Sequence, residues 1–363
     1  MVHVKAPGKM ILIGEYAVLE GAPALVAAVD RYAHVSVVPS ETQFFYLSVP
    51  AVKIDKIAFQ LNEANRIVFR TGLTVNQRRF LKLFVHVFEH TYKQLINSYQ
   101  KKLLPSTFSL CTNDFYNTSL RTKLGFGSSA ALTVAVVNAM FRVAATDRHL
   151  TLTHEVIFET ALRAHRNAQQ KIGSGIDIAA SSYGGVNRYK VNTVDPNEQA
   201  PPEPLVKPQN LSILPVWTGR SASTKKMVQQ VNRYKSANTE NYQSMISDLG
   251  QISAQACADF ASGDTAQILA HVRNYNDALK AFGERTGVDI VSEPHRQLAR
   301  YAVEHAFAYK PSGAGGGDIG LLFSDRTAES EKIKTDIRTM GYTPLEVQIA
   351  PESAVTRQKT NEV

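Results

Sequence analysis

KLGFGSSAAL, residues 123–132, sets two glycines and two serines directly ahead of a long apolar run. Gly125 and Gly127 supply backbone that turns tightly and approaches a ligand closely, and Ser128 and Ser129 then open a helix over SAALTVAVVNAMFRVAA. That run is apolar on nearly every side, so the helix is expected to lie buried within a domain. Such a start offers an anion free first-turn N–H groups, the positive end of the helix dipole, and hydroxyls that donate to phosphate or ligate Mg²⁺.

Two familiar loop patterns fit this stretch poorly. Gly125, Gly127 and Ala130 match the spacing of a dinucleotide fingerprint, but the preceding TNDFYNTSLRTK is polar and turn-like rather than a buried strand. The acid expected about 20 residues further on should end a second strand, whereas Asp147 follows the helix in a polar connection. No GxxxxGK[ST] loop occurs. Taken alone, the stretch reads equally as a serine N-cap behind a plain loop.

Three other stretches carry similar double readings. KPSGAGGGD, residues 310–318, packs five small residues between Ser312 and Asp318, which suits main-chain wrapping of phosphate oxygens or a hairpin. In APGKMILIGEY, Pro7-Gly8 fits the centre of a type II turn, Lys9 reads as a turn lysine, and Glu15-Tyr16 ends a strand. In GSGIDIAASSYGG, after a glycine-rich loop at residues 171–175, Asp177 suits the N-cap of a helix over Ile178 to Ser182.

At 363 residues the chain is long enough for two domains. The opening third is β-rich, with runs VHVKA, KMILIG and AHVSVVP between Pro and Gly punctuation. From Gln77 to about Leu103, residues Leu81, Phe84, Val85, Phe88, Tyr92, Leu95 and Ile96 recur at helical steps, and STFSLCT returns to strand. A further helix is expected over Leu152 to Gln169. The Pro- and Asn-rich segment at 191–210 marks the boundary, giving domains 1–195 and 205–355. Beyond it come a strand LSILPVW, helices over Ser223 to Ala261 and Asp264 to Glu284, and one opened by Ser292-Glu293-Pro294. A GLLF strand, a helix over Glu329 to Met340 and a TPLEVQI strand follow, with a frayed end from Ser353.

A hydrophobic share of 44% beside 20% charged residues excludes disordered and collagen-like classes. No apolar stretch reaches the roughly 20 residues of a membrane span, and MVHVKAPGK lacks a signal-peptide core, so a cytoplasmic address is expected. Cys111 and Cys257 fit neither a redox pair nor a zinc spacing and read as buried reduced thiols. The net charge of +8 favours anionic ligands, but the basic residues form no stripe interleaved with aromatics, which argues against nucleic acid.

In their order along the chain, APGK-GEY-AVLEG, GFGSSAA, GSGIDIAA-YGG and PSGAGGGD resemble the GHMP kinase family of ATP-dependent small-molecule kinases, across essentially the whole chain. The likeness is to the branch acting on phosphomevalonate. It rests on Gly14-Glu15-Tyr16 where kinases of mevalonate carry Gly-Glu-His, on AHRNAQQKIGSGIDIAASSYGG, and on VWTGRSASTKKMV at 216–228.

The resemblance implies an α+β, two-domain architecture, its N-terminal half similar to ribosomal-protein S5 domain 2 and its C-terminal half ferredoxin-like, with the active site in the cleft between. It implies ATP-dependent phosphorylation of phosphomevalonate to diphosphomevalonate in the mevalonate route to isoprenoids. Mevalonate or another small acceptor stays open, as does a catalytically silent metabolite sensor, although retention of Lys9, Ser128, Ser129 and Asp177 together argues against silence. A homodimer is left open.

By the same resemblance, Gly125, Gly127, Ser128, Ser129 and Ala130 bind the ATP phosphates and Ser129 or Ser128 reaches Mg²⁺. Lys9 lies between donor and acceptor oxygens, and Asp177 holds the position usually given to a catalytic base. The acceptor end takes Glu15, Tyr16, Ser174, Gly175, Ser312, Gly313, Ala314 and Gly315. Two polyanions in one cleft repel, so Lys9, Lys171 and Arg220 are expected to offset the second phosphate, the last beside Ser221, Ser223 and Thr224 at a helix start. AHRNAQQK departs from the family pattern in lacking a carboxylate, the nearest acid upstream being Glu159, so water is expected in place of a second protein ligand to Mg²⁺.

Overall fold

Strand β1, Val2–Ile13, runs unbroken through the APGK stretch. The turn expected at Pro7-Gly8 is instead a bulge, because the ladder to β2, Ala24–Pro39, pairs Pro7 with Tyr32 and then Gly8 with Val29. Glycine is required there: a Cβ on Gly8 would stand 2.6 Å from the Phe126 carbonyl oxygen. That close approach lets the Lys9 N–H donate to the same carbonyl at 2.8 Å, so the backbone of Lys9 is tied to the loop ahead of Ser128.

The structure is a computed structural model that describes residues 1–117, 122–145, 152–169, 173–195, 199–326 and 330–351. After β2 come β3 (Phe45–Val49), β4 (Ile54–Leu61), β5 (Ile67–Phe69), α1 (Val75–Tyr99), β6 (Ser106–Cys111), β7 (Tyr116–Asn117), β8 (Thr122–Lys123), α2 (Ser128–Ala144), α3 (His154–Ala168), α4 (Ile176–Tyr183) and β9 (Val186–Tyr189). The remainder is β10 (Glu203–Leu205), β11 (Ser212–Trp217), α5 (Thr224–Ala237), α6 (Thr239–Ser262), α7 (Thr265–Thr286), α8 (Glu293–Glu304), β12 (Ala308–Pro311), β13 (Ile319–Ser324), α9 (Ser330–Thr339) and β14 (Thr343–Pro344).

The long β2 carries β1 on one edge and shares the other between β9 and β6; β10 extends the sheet beyond β9, and β3, β4 and β5 beyond β6. A second sheet has the order β12-β13-β11-β14. Helix α2 packs on β1 and β2 and is buried everywhere except at Ser129, Arg142 and Val143, as its all-round apolar sequence requires. Helix α1 opens on a Thr74/Gln77 capping box and turns Leu81, Phe84, Val87, Phe88, Tyr92 and Leu95 inward.

Several expectations are corrected. The helix read over 223–261 divides at Asn238, whose φ of −140° and ψ of 56° end α5 and start α6. Only Thr343–Pro344 of TPLEVQI is strand, because the chain then returns to β2, where Ile349 bridges Val29 and the Ala350 N–H donates to Ala28. Ser292 occupies the N-cap of α8 but makes no capping bond. Cys257 is buried, whereas Cys111 is only half-buried. Lys171, Asp147 and the tail from Ser353 lie outside the described residues. Among the described residues, no helix is long and apolar enough to cross a membrane.

Candidate active site

Residues from β1, the starts of α2, α4 and α5, and the β12–β13 loop enclose a cavity of about 640 Å³. Gly125 and Gly127 both have φ near 77°, a region strained for residues with side chains. Gly127 is the N-cap of α2, and a Cβ there would stand 3.0 Å from Lys9 Cγ. Ala130 and Ala131 are the first N–H groups of α2 to find a partner, both on the Gly127 carbonyl. The Ser128 and Ser129 amides ahead of them have no earlier turn to bond to.

Ser129 Oγ lies 3.4 Å from Nε2 of the buried His165, and that nitrogen lies 2.9 Å from Gln169 Nε2. The carboxylate-free AHRNAQQ stretch therefore supports the second serine of the loop, a role the sequence reading missed. The four-residue spacing of His165 and Gln169 on one helix face was the available signal.

Helix α4 starts from Gly175 at φ 87°, where a Cβ would collide with Leu162 Cδ1 at 2.3 Å. Asp177 is a first-turn residue rather than the N-cap, and its Oδ1 accepts from the Ile178 N–H at 3.0 Å. Ser174 accepts from the Ile176 N–H at 3.3 Å, while its carbonyl receives Arg166 and the Tyr189 hydroxyl, both at 3.1 Å.

Lys9 lines the cavity, and desolvation pushes its ammonium below the ordinary lysine range against the opposing pull of Asp177, Asp318 and Glu15. Glu15 and Lys310 form a fully buried ion pair at 2.5 Å, and the Gly313 N–H also donates to Glu15 Oε1 at 3.3 Å. Burial raises the Glu15 carboxyl and lowers the Lys310 ammonium, each effect countered by the partner. Tyr16, at φ 62°, donates its hydroxyl to the Ala314 carbonyl at 2.6 Å, and burial holds that phenol above its usual range.

The second glycine loop is built mainly for close packing. A Cβ on Gly315 would meet the Ile290 carbonyl oxygen at 2.5 Å, on Gly316 the Met227 methyl at 3.0 Å, and on Gly317 the Arg220 carbonyl oxygen at 2.6 Å. Gly313 and Ala314 do line the cavity. Ser312 instead seals the free edge of β1, accepting from the Ile11 N–H at 3.1 Å and donating to the Ile11 carbonyl at 3.0 Å. Arg220 turns to the Gly316 carbonyl at 2.7 Å and to Asp289 at 3.1 Å and is not part of the cavity wall, whereas Ser221 and Thr224 are. Lys82, Lys123, Lys225 and Asp318 complete the charged lining and were missed, since only folding gathers them from four separate segments.

Among the described residues, no group of three or more His, Cys, Asp or Glu side chains is arranged to hold a metal ion. Mg²⁺ needs no such cluster, because it keeps several waters and binds through one or two protein oxygens together with substrate phosphates. The Ser128 and Ser129 hydroxyls and the Asp177 and Asp318 carboxylates supply hard oxygen donors on one wall or another of this cavity, and so fit that ion.

The description "GHMP kinases N terminal domain" matches residues 90–185. A phosphomevalonate kinase of Streptomyces sp. (strain CL190) is 30% identical, with 96% of each chain covered. A mevalonate kinase of Thermococcus gammatolerans is 24% identical, with 97% of each covered. The structure of Streptococcus pneumoniae phosphomevalonate kinase in complex with phosphomevalonate and AMPPNP superimposes with a TM-score of 0.76 at 20% identity, covering 96% of this chain and 100% of that one. The mixed α+β fold is thus shared over nearly the full length.

Proposed function

The chain belongs to the GHMP kinases, and from that premise we propose that it transfers the terminal phosphoryl group of ATP to phosphomevalonate, giving diphosphomevalonate. One observation carries the choice of acceptor. Four lysines, Lys9, Lys82, Lys123 and Lys225, line a cavity whose carboxylates are Asp177, Asp318 and the Lys310-paired Glu15. That excess of positive charge suits two polyanions brought together better than one polyanion and an acceptor whose single charge is a carboxylate, as in mevalonate.

In this proposal residues 1–195 form the domain with the phosphate loop, and 205–355 the domain with the glycine-rich loop. The Ser128 and Ser129 amides at the start of α2 hold the terminal phosphates of ATP. The Ser129 or Ser128 hydroxyl would hold Mg²⁺, which would supply neutralisation of phosphate charge. Lys9, anchored through its N–H to Phe126, stands between donor and acceptor oxygens. Phosphoryl transfer depends mainly on alignment and charge stabilisation, which these groups supply. The attacking oxygen belongs to a phosphate with a second pKa of about 6, so at neutral pH it needs no base to ionise it. Asp177 then acts by orienting Lys9 and the acceptor.

Mevalonate is the second reading, supported by the full-length likeness to the Thermococcus enzyme. Measuring ADP release with mevalonate, phosphomevalonate, diphosphomevalonate, galactose and homoserine in parallel, and weighing the products, separates the two. Turnover of phosphomevalonate with one phosphoryl group added to its phosphate is the expected result. Turnover of mevalonate alone would replace the first proposal by the second.

A further inference from the structure

Tyr16 occupies the centre of a strained turn. Its φ of 62° and ψ of −52° belong to the rare form of γ-turn, closed here by the Ala17 N–H donating to the Glu15 carbonyl at 2.7 Å. A residue with a side chain keeps such a backbone only where its surroundings impose it, and strain of this kind gathers at functional sites. Both flanks of Tyr16 are held. The Glu15 carbonyl also accepts from the buried Tyr275 hydroxyl at 2.7 Å, the Glu15 side chain pairs with Lys310, and the Val18 N–H donates to the Gly14 carbonyl at 3.0 Å.

What the turn presents is the phenol. Tyr16 is buried, its ring lies 5.3 Å from that of Phe282 between centroids, and its hydroxyl donates to the Ala314 carbonyl at 2.6 Å. That bond completes a series between the end of β1 and the glycine-rich loop, after those of Ile11 with Ser312 and of Glu15 with Lys310 and Gly313. The loop joins two strands of the second sheet but is fastened to the first. Gly315, Gly316 and Gly317 are confined by Ile290, Met227 and Arg220, whereas among the described residues a Cβ on Gly313 would meet nothing closer than Lys9 Nζ, at 3.9 Å. Gly313 and Ala314, which line the cavity, are thus the part of the loop that Glu15 and Tyr16 hold.

We infer that Tyr16 is a positioning residue: by holding the Ala314 carbonyl it fixes the glycine-rich loop as a preformed wall in front of Lys9, and it acts on the acceptor through that wall rather than by touching it. This rests on the phosphoryl transfer proposed above, in which the loop belongs to the acceptor end. Glycine has more backbone freedom to lose than any other residue. A bond that orders Gly313 and Ala314 before the acceptor arrives removes that ordering from the cost of binding.

The test uses Tyr16→Phe, which removes the hydroxyl and keeps the ring, and Tyr16→His, whose shorter side chain falls short of Ala314. Amide hydrogen exchange of the full-length protein without substrate is followed by peptide mass spectrometry. Exchange in the peptide covering 312–318 is expected to rise about fivefold in both variants, the loss of one hydrogen bond, while a peptide from α9 is unchanged. A side chain that only touched the acceptor would leave the loop of the empty protein as it was. With whichever acceptor turns over, its KM is expected to rise about fivefold while the KM for ATP changes by less than about twofold. Unchanged exchange over 312–318 in Tyr16→Phe, or faster exchange beside an unchanged acceptor KM, would overturn the assignment. Exchange raised equally in α9 would overturn it as well, since Tyr16 would then hold the whole fold rather than this loop. Should the unmodified protein turn over no acceptor, the functional proposal fails, while the exchange rates still decide the role of Tyr16.

Discussion

Glu15 and Lys310 meet at 2.5 Å with both side chains sealed from solvent, one just beyond β1 and the other on β12, so a buried ion pair joins the two sheets. Removing one partner strands the other charge. Lys310→Met is therefore expected to cost about 3–5 kcal/mol in urea unfolding, while the double variant with Glu15→Gln, which buries no charge, recovers a substantial part. Equal losses in the single and double variants would rule this account out.

Gly127 and Lys9 provide a second prediction. Alanine at 127 would add strain of about 1–2 kcal/mol at φ 77° and bring its Cβ to 3.0 Å from Lys9 Cγ. The stem of Lys9 must give by a few tenths of an ångström, and since a displacement of about 1 Å at a reacting centre costs up to about 100-fold in rate, a part of that loss is expected. Gly127→Ala should lower kcat by at least about tenfold while the folded protein persists at 25 °C, as circular dichroism and steady-state kinetics together would establish. Full activity would mean that Lys9 is not confined by this contact.

Buried His295 braces the glycine-rich loop from behind, with Nε2 3.2 Å from the Gly317 carbonyl and Nδ1 2.8 Å from the Tyr309 hydroxyl. Burial lowers its pKa to about 3 from the ordinary 6.5. Between those values the unfolded chain binds a proton that the folded one does not, so the contribution to stability is whole above pH 6.5 and declines as pH falls toward 3. Unfolding free energy should drop over this window by an amount on the order of several kcal/mol. His295→Gln should flatten that slope, and parallel curves for the two proteins would exclude His295 as its source.

Much of the fold was legible because its signals are local. The apolar run after Ser128, the stepped apolar residues of α1 and the short apolar run LSILPVW each specify an element from a few neighbours. The misreadings arose where distant chain decides: Pro7-Gly8 looks like a turn until Phe126 approaches Gly8, and residues 343–349 look like one strand until β2 captures Ile349. The site divides in the same way. Lys9, Ser128, Ser129 and Asp177 sit in ordered motifs, whereas Asp318, Lys82 and Lys225 become neighbours only through the packing of α1, α5 and the β12–β13 loop around one cavity. Sequence likewise cannot reveal that Gly316 and Asp289 engage the Arg220 guanidinium, which lies outside the cavity wall.

Asp177 distinguishes the two candidate acceptors. If the acceptor were an alcohol, a base would have to take its proton in the transition state, and removing that base costs roughly 100- to 10,000-fold. A phosphate acceptor with a second pKa near 6 arrives ionised at neutral pH, leaving Asp177 to orient its substrate and to offset the Lys9 charge. With phosphomevalonate, Asp177→Asn should thus lose less than about 100-fold in kcat at pH 7.5. Protonation of the acceptor should make the rates of both proteins fall together below about pH 6. A loss beyond about 10,000-fold, or an acid limb that vanishes in the variant, would assign the proton to Asp177 and the reaction to a hydroxyl acceptor.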